Sequence, residues 1–331
     1  MDMDIYAEAR QAEWQRLRQL ANQRELTGVE ADELIARYQS GASDISAIRT
    51  TYGESAQTAT LSVFMSQARM RFTRIRRNPL LTLQEFFVEQ LPASLYRVRW
   101  WTLAAALFTV LVAMGSFFWH QMNPELLQFY GTEAGLQQYA EDDFINYYSE
   151  YSETAFAARV FTNNAWIAAL CIAFGFTGIF PIVMLVQNAV ALGTSAAVLA
   201  HFGHLDAFFL WIAPHGLLEL TMIFVAAGTG FALFWSLIVP GPQPRLVSAG
   251  IAGRTLVIAA VGTTIFLFIS GLIEGFVTRQ DWPWAVKIGI GAVALLSYLA
   301  YAYVLGYRAA RAGHDGDLDA MDAGHRLVYT N

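Results

Sequence analysis

The chain has 331 residues, 55% of them hydrophobic and only 15% charged, with a mean hydropathy of +0.37 and a formal net charge of −6. A soluble domain would not concentrate its apolar residues so strongly, and here most charges lie outside residues 160–278. The expectation is an all-α fold, a polytopic membrane helix bundle of about six spans with an N-terminal cytoplasmic helical module.

That module covers residues 1–99. Residues 4–20 carry apolar side chains and arginines at helical spacing, and Thr27-Gly-Val-Glu30 reads as a capping box opening a second helix through Tyr38. Residues 1–39 are charged and have no apolar h-region, so no cleavable signal peptide is expected. Thirteen arginines face twelve acids in the module, a balance that argues against nucleic acid as a partner. In residues 80–91, Leu83, Phe86, Phe87 and Leu91 share one helical face and Pro92 ends the pattern. This stretch reads as an interfacial helix on the inner leaflet or, equally, as a helix packed on the soluble module.

Apolar runs long enough to cross roughly 30 Å of hydrocarbon occupy residues 103–119, 161–200, 214–239, 255–278 and 284–307. The second, about 40 residues without a charge, would make one helix near 60 Å long. It is therefore split near Pro181 and Gln187-Asn188, which gives six spans within residues 100–307. Residues 120–160 form an acidic outer loop and residues 308–331 a polar cytoplasmic tail. Arg69, Arg71, Arg74, Arg76, Arg77, Arg97 and Arg99 precede the first span, whereas the 120–160 loop has Arg159 alone among seven acids. The positive-inside rule places the N-terminus in the cytoplasm. Arg245, Arg254, Arg308 and Arg311 agree, so both termini are expected there, with Arg279 discordant. The single cysteine, Cys171, permits no intramolecular disulfide.

Ionisable residues inside spans are expensive and mark candidate sites. His215, Glu219 and Glu274 stand out. In Pro214-His-Gly-Leu-Leu-Glu219 the proline suits the first turn of a helix, and a spacing of four puts His215 and Glu219 on one face. With this topology all three converge in the outer half of the bilayer. Asn163 and Asn164 fall at the same level, opening the second span, while Gln187 and Asn188 fall at the inner turn. His201, His204 and Asp206, in the short connection before Pro214, are weak metal-ligand candidates. Blander readings stand beside these: a self-satisfied His–Glu pair, an N-cap pair at Asn163-Asn164, and solvated loop residues at 201–206. The glycines of Gly271-x-x-x-Gly275, with Gly175, Gly178, Gly228 and Gly230, read as helix-packing positions.

Phe161-Thr-Asn-Asn164, Gly175 and Gly178, Gln187-Asn188 with Gly193, Pro214-His-Gly-x-x-Glu219 with Gly228 and Gly230, and Ile273-Glu-Gly-Phe-Val-Thr278 occur in an order that resembles the stage II sporulation protein M family. The resemblance covers roughly residues 30–307; Arg279, where a proline is expected, and Gly275, where alanine is usual, depart from it. It implies a bacterial plasma-membrane protein that recruits or anchors envelope proteins. It also implies partners of the MoxR-type AAA+ ATPase and von Willebrand A-domain classes. Twenty arginines against one lysine, Lys287, fit a GC-rich genome and this second setting.

Three functions compete. The first, a non-enzymatic membrane scaffold, is motivated by the cytoplasmic module and the acidic loop. A transporter or channel would use the same polar cluster, with helices interrupted at Pro181 and Pro214, but no internal repeat supports it. An intramembrane metallohydrolase would use His215 and Glu219 as ligands and Glu274 as third ligand or base, yet no His-Glu-x-x-His or Gly-x-Ser-x-Gly occurs. No cofactor is expected; membrane lipid is the certain neighbour, and a homo-oligomer is left open.

Overall fold

The structure, a computed structural model, describes residues 3–23, 26–53, 56–73, 79–149, 152–314 and 316. Arg74, Arg76, Arg77, Glu150 and nearly all of the 308–331 tail beyond 314 lie outside the described residues. The chain forms two compact units, Met1–Pro79 and Leu80–Asn331, and the described residues contain helices and no strand. The division falls before the first 80–99 segment, which packs with the bundle.

The first unit is a three-helix domain: α1 (Met3–Asn22), α2 (Gly28–Tyr52) and α3 (Ala56–Thr73). Trp14, Leu17, Leu20, Leu34, Ile48, Leu61 and Met65 form its core. Both arms of the capping box close at Thr27 and Glu30. The second helix does not stop at Tyr38, because Gly41 acts as a packing position and not as a break: a Cβ there would meet Met65 Sδ at 2.9 Å. The apolar stripe continues through Ile45 and Ile48, and Gly53, at φ +77°, ends the helix. Asp44 is buried in this domain and accepts from Tyr6 Oη and Trp14 Nε1, each at 2.8 Å. Those bonds tie α1 to α2 and satisfy a carboxylate that would otherwise be costly to bury.

In the second unit, α4 (Pro79–Glu85) runs through a π-turn at Phe86–Gln90 into α5 (Leu91–Arg97). Only part of the expected interfacial face is exposed. Leu83 and Phe87 are open, whereas Leu91 is buried in the bundle core with Phe86 packed against it. Pro92 does not end the helix. The π-turn uses the Leu91 N–H to reach Phe86 O, so in the same register the carbonyl left without a donor by the missing Pro92 N–H is that of Phe87. The Tyr301 hydroxyl donates to that carbonyl from the last span.

Among the described residues six helices are long and apolar enough to cross a membrane: α6 (Arg99–Met122), α9 (Glu153–Ala173), α10 (Ile179–His201), α11 (Leu205–Ile238), α12 with its terminal π-turn (Arg245–Thr278), and, after a short link, the last (Trp284–Arg311). The last comprises α13 (Trp284–Leu299), a π-turn at Ala300–Leu305 and α14 (Gly306–Arg311). At the centre is α11, which packs against α6, α9, α10, α12 and α13. Half of its apolar window is buried, against 11% for α6. Close crossings are made at glycine. A Cβ on Gly175 would lie 2.5 Å from Gly230 Cα, and one on Gly291 would lie 2.1 Å from Pro214 O.

Three boundaries differ from expectation. The break in the 161–200 run lies at 174–178, where Gly178 takes φ +69° and Thr177 Oγ1 accepts from Phe180 N. Pro181 sits in the first turn of α10, where no intrahelical donor is needed. Gln187 and Asn188 are consequently inside α10, not at a turn. Pro214 lies within α11, which begins at Leu205 after a tight turn in which Gly203 has φ +81°. Asn163 and Asn164 are mid-helix, since α9 begins at Glu153 with Ser152 at the N-cap position, so the N-cap reading fails.

The 120–160 segment is no open loop. Between α6 and α9 it folds into short helices, including α7 (Glu133–Gln138) and α8 (Phe144–Asn146), that rest on one end of the bundle. Leu127, Leu136 and Ala140 bury against Val198, Tyr139 Oη pairs with Ser195 Oγ at 2.8 Å, and Phe144 stacks on Phe208.

Candidate functional site

His215 and Glu219 lie one turn apart on the central helix, and Glu274 reaches them from the π-turn Glu274–Thr278 that closes α12. A π-turn is wider than an α-turn and recurs at functional sites. Here it presents Glu274 and Thr278, four residues apart, to the same imidazole. His215 Nε2 is 3.5 Å from Glu274 Oε1, and His215 Nδ1 is 3.3 Å from Thr278 Oγ1. His215 therefore pairs with Glu274 across helices and not with Glu219 along its own. Glu219 Oε1 accepts from Asn164 Nδ2 at 2.7 Å. His215 and Glu274 are 5% and 3% exposed. One ligand atom from each of His215, Glu219 and Glu274 lies within 4.8 Å of the other two, the one such group of three among the described residues.

Beside the cluster is a cavity of about 900 Å³ walled by α9 through Arg159, Thr162, Asn163 and Asn164, with Glu219 and Glu274 in its lining. Glu274 Oε2 is buried and makes no hydrogen bond. Around the other side, Tyr148 from the folded 120–152 segment stacks on Trp211 at 4.8 Å and lies 6.1 Å from the His215 ring. Burial raises the Tyr148 phenol above its ordinary range, so it stays neutral over the cluster. Trp211 meets Trp284 edge-on, and the Lys287 ammonium sits 3.3 Å from the Trp284 ring centroid. Lys287 Nζ donates to Thr278 O and Gln280 O, each at 3.0 Å, closing the carbonyl end of the π-turn. The His215 carbonyl accepts from Ser270 Oγ at 3.0 Å, which fixes α11 against α12 at this level.

The structure thus brings His215, Glu219, Glu274 and Asn164 together and sets Asn163 on the cavity wall. It leaves the other sequence candidates apart. Asn188 Nδ2 bonds back to Met184 O within α10, and Gln187 is exposed beside the 130–139 segment. His201 ends α10, His204 lies in the turn and Asp206 opens α11; they do not form a three-ligand group. Thr278, Tyr148, Trp211 and Lys287 were not singled out from the sequence as site residues. Lys287 had a signal: it is the lone lysine of the chain and lies inside an apolar span, the position in which an ionisable group is expensive. Tyr148 and Trp211 had none, since their approach depends on how the 120–152 segment folds.

The first unit corresponds to a second family model, Domain of unknown function (DUF8413), which matches residues 4–74. No curated protein and no solved structure matches the chain. The bundle is matched by the model described as Stage II sporulation protein M over residues 104–279, a span that is more than half of the chain and holds every member of the buried cluster. This six-span membrane protein belongs to the stage II sporulation protein M family.

Proposed function

We propose that the protein is a bacterial plasma-membrane anchor that holds cytoplasmic partners through its N-terminal domain and envelope partners through its membrane bundle, both termini lying in the cytoplasm. The observation that carries this reading is the self-contained domain of α1–α3, with its own core and its own family match, ahead of a membrane bundle. A domain that folds around its own core serves as a handle, and its exposed faces carry arginines and acids suited to specific, salt-sensitive contacts. Partners of the MoxR-type AAA+ ATPase and von Willebrand A-domain classes fit the family setting. Affinity purification from membranes, with the whole chain and with residues 1–79 deleted, tests it. Loss of the co-purifying cytoplasmic proteins on deletion is the expected result, and recovery of the same set overturns the proposal.

A second reading, passage of a small solute or ion, has one specific observation in its favour: a carboxylate oxygen without a hydrogen bond beside a cavity of about 900 Å³ at span depth. Flux into proteoliposomes that is unchanged in Glu219→Gln and Glu274→Gln would remove it.

A further inference from the structure

We infer that His215, Glu219 and Glu274 hold one divalent transition-metal ion, best matched by zinc, with a coordination position facing the α9 cavity. The hydrogen bonds around the imidazole accommodate a tautomer whose lone pair faces Glu274. Thr278 Oγ1 has one proton and lies 3.4 Å from Ile273 O, which can only accept. With that proton directed to Ile273 O, Thr278 Oγ1 must accept from His215 Nδ1–H at 3.3 Å, and the neutral ring then presents a bare Nε2. That nitrogen faces Glu274 Oε1 at 3.5 Å. Two lone pairs facing one another in a buried site need a positive centre between them, either a proton or a metal ion.

The remaining features fit a metal as that centre. Glu274 Oε2 is a buried oxygen without a hydrogen bond, and Glu219 is held from behind by Asn164. Thr278 thus does what outer-shell partners do at metal sites, orienting His215 by the nitrogen it does not use for the metal, and Asn164 holds the Glu219 carboxylate in place. One imidazole and two carboxylates are a nitrogen–oxygen donor set that zinc accepts, and three protein ligands leave a fourth position open. Tetrahedral zinc at about 2.1 Å from each ligand separates those ligands by roughly 3.4 Å. The His215–Glu274 pair already has that spacing, and the 4.8 Å limit over all three requires side-chain rotation of about an ångström. Charge balance agrees, because two carboxylates and a dication sum to zero at a depth where a net charge is costly.

This inference rests on the cluster being a ligand site and not on the partner-holding role of residues 1–79, so zinc retention and partner co-purification succeed or fail separately. The full chain, purified in detergent and stripped with a chelator, is reloaded with zinc chloride, desalted and analysed for metal. About one zinc per chain is expected, and cobalt loaded in its place should give visible absorption bands of a low-symmetry site. Glu274→Gln and His215→Gln should weaken retention at least tenfold. Thr278→Val, which reaches the metal only through His215, should weaken it by about ten- to a hundredfold while the protein elutes as the wild type does. Asn188→Ala, on α10 away from the cluster, should leave it unchanged. Wild-type protein that keeps no zinc overturns the inference. So does Glu274→Gln protein, or Thr278→Val protein where the former fails to fold, that keeps as much zinc as wild type.

Discussion

A methyl group added at Gly291 tests whether the crossing of α13 over α11 positions His215. A Cβ at that residue would lie 2.1 Å from Pro214 O, 2.7 Å from Pro214 C and 3.0 Å from Ala213 O. A relaxed carbon–oxygen contact is about 3.3 Å, so the helices must part by roughly an ångström at the residue preceding His215. Overpacking of this kind costs about 1–3 kcal/mol, and the upper end applies because the obstacle is backbone and cannot swing aside. The better helix preference of alanine returns up to about 1 kcal/mol, for a net loss of about 1–2 kcal/mol. Gly289→Ala is the internal control, since nothing lies within 4 Å of a Cβ there. It keeps the gain of about 1 kcal/mol without the clash. The two variants should therefore differ by about 2–3 kcal/mol, or about 3–4 °C in Tm for a chain of this size. Heating detergent-solubilised protein and following the folded peak by fluorescence-detected size exclusion measures the difference. Gly291→Ala with a Tm equal to or above that of Gly289→Ala would refute the reasoning.

The N-terminal domain and the lysine cap give three further tests. Asp44→Ala orphans the Tyr6 hydroxyl and the Trp14 indole N–H, each now 2.8 Å from the carboxylate, and should cost the domain about 2–4 kcal/mol, seen as faster proteolysis within residues 3–73. Arg16 and Arg37 hold the Glu33 carboxyl down, from 4.5 to about 2. A folded value below the unfolded one means that its contribution is complete above pH 4.5 and disappears as pH falls toward 2. Pepsin cleavage of the domain should accelerate across that window, less steeply in Glu33→Gln. Lys287→Met removes the donor to Thr278 O and Gln280 O and should lower the Tm of the whole chain. Each carbonyl left without a partner costs about 1–3 kcal/mol, offset in part because no ammonium has to be buried; an unchanged Tm would contradict the capping role.

How much of this was legible in the sequence depended on the range of the interaction involved. Six spans follow from run length because the bilayer fixes how many apolar residues a helix needs, and the Thr27–Glu30 capping box is local to four residues. His215, Glu219 and Glu274 attract notice because ionisable groups at that depth have few alternatives. Their pairing was not legible: the i,i+4 spacing points His215 at Glu219, but a π-turn invisible in the composition of Glu-Gly-Phe-Val-Thr brings Glu274 and Thr278 to the ring instead. Prolines misled for a related reason. Pro92 and Pro214 look like boundaries when only the chain's own donors are counted, and Tyr301, more than 200 residues away, supplies what Pro92 lacks. Gly41 and Gly178 show that a glycine marks a break only when the backbone takes a positive φ, as at Gly178, and not when the missing side chain makes room for a neighbour, as at Gly41.

The burial of Lys287 also has a practical side. It is the chain's single lysine, its ammonium lies over Trp284, and two of its hydrogens are committed to carbonyls. Reagents that acylate side-chain amines, including the common bifunctional crosslinkers, will find no accessible lysine on the folded protein. Apart from the α-amine at the start of the chain, a partner bound through residues 1–79 would meet no amine that such chemistry could use. Cys171 is buried as well. A cysteine introduced on an exposed face of α1, α2 or α3 would then be the sole reactive thiol on the molecule, and a crosslink formed through it would carry an unambiguous address.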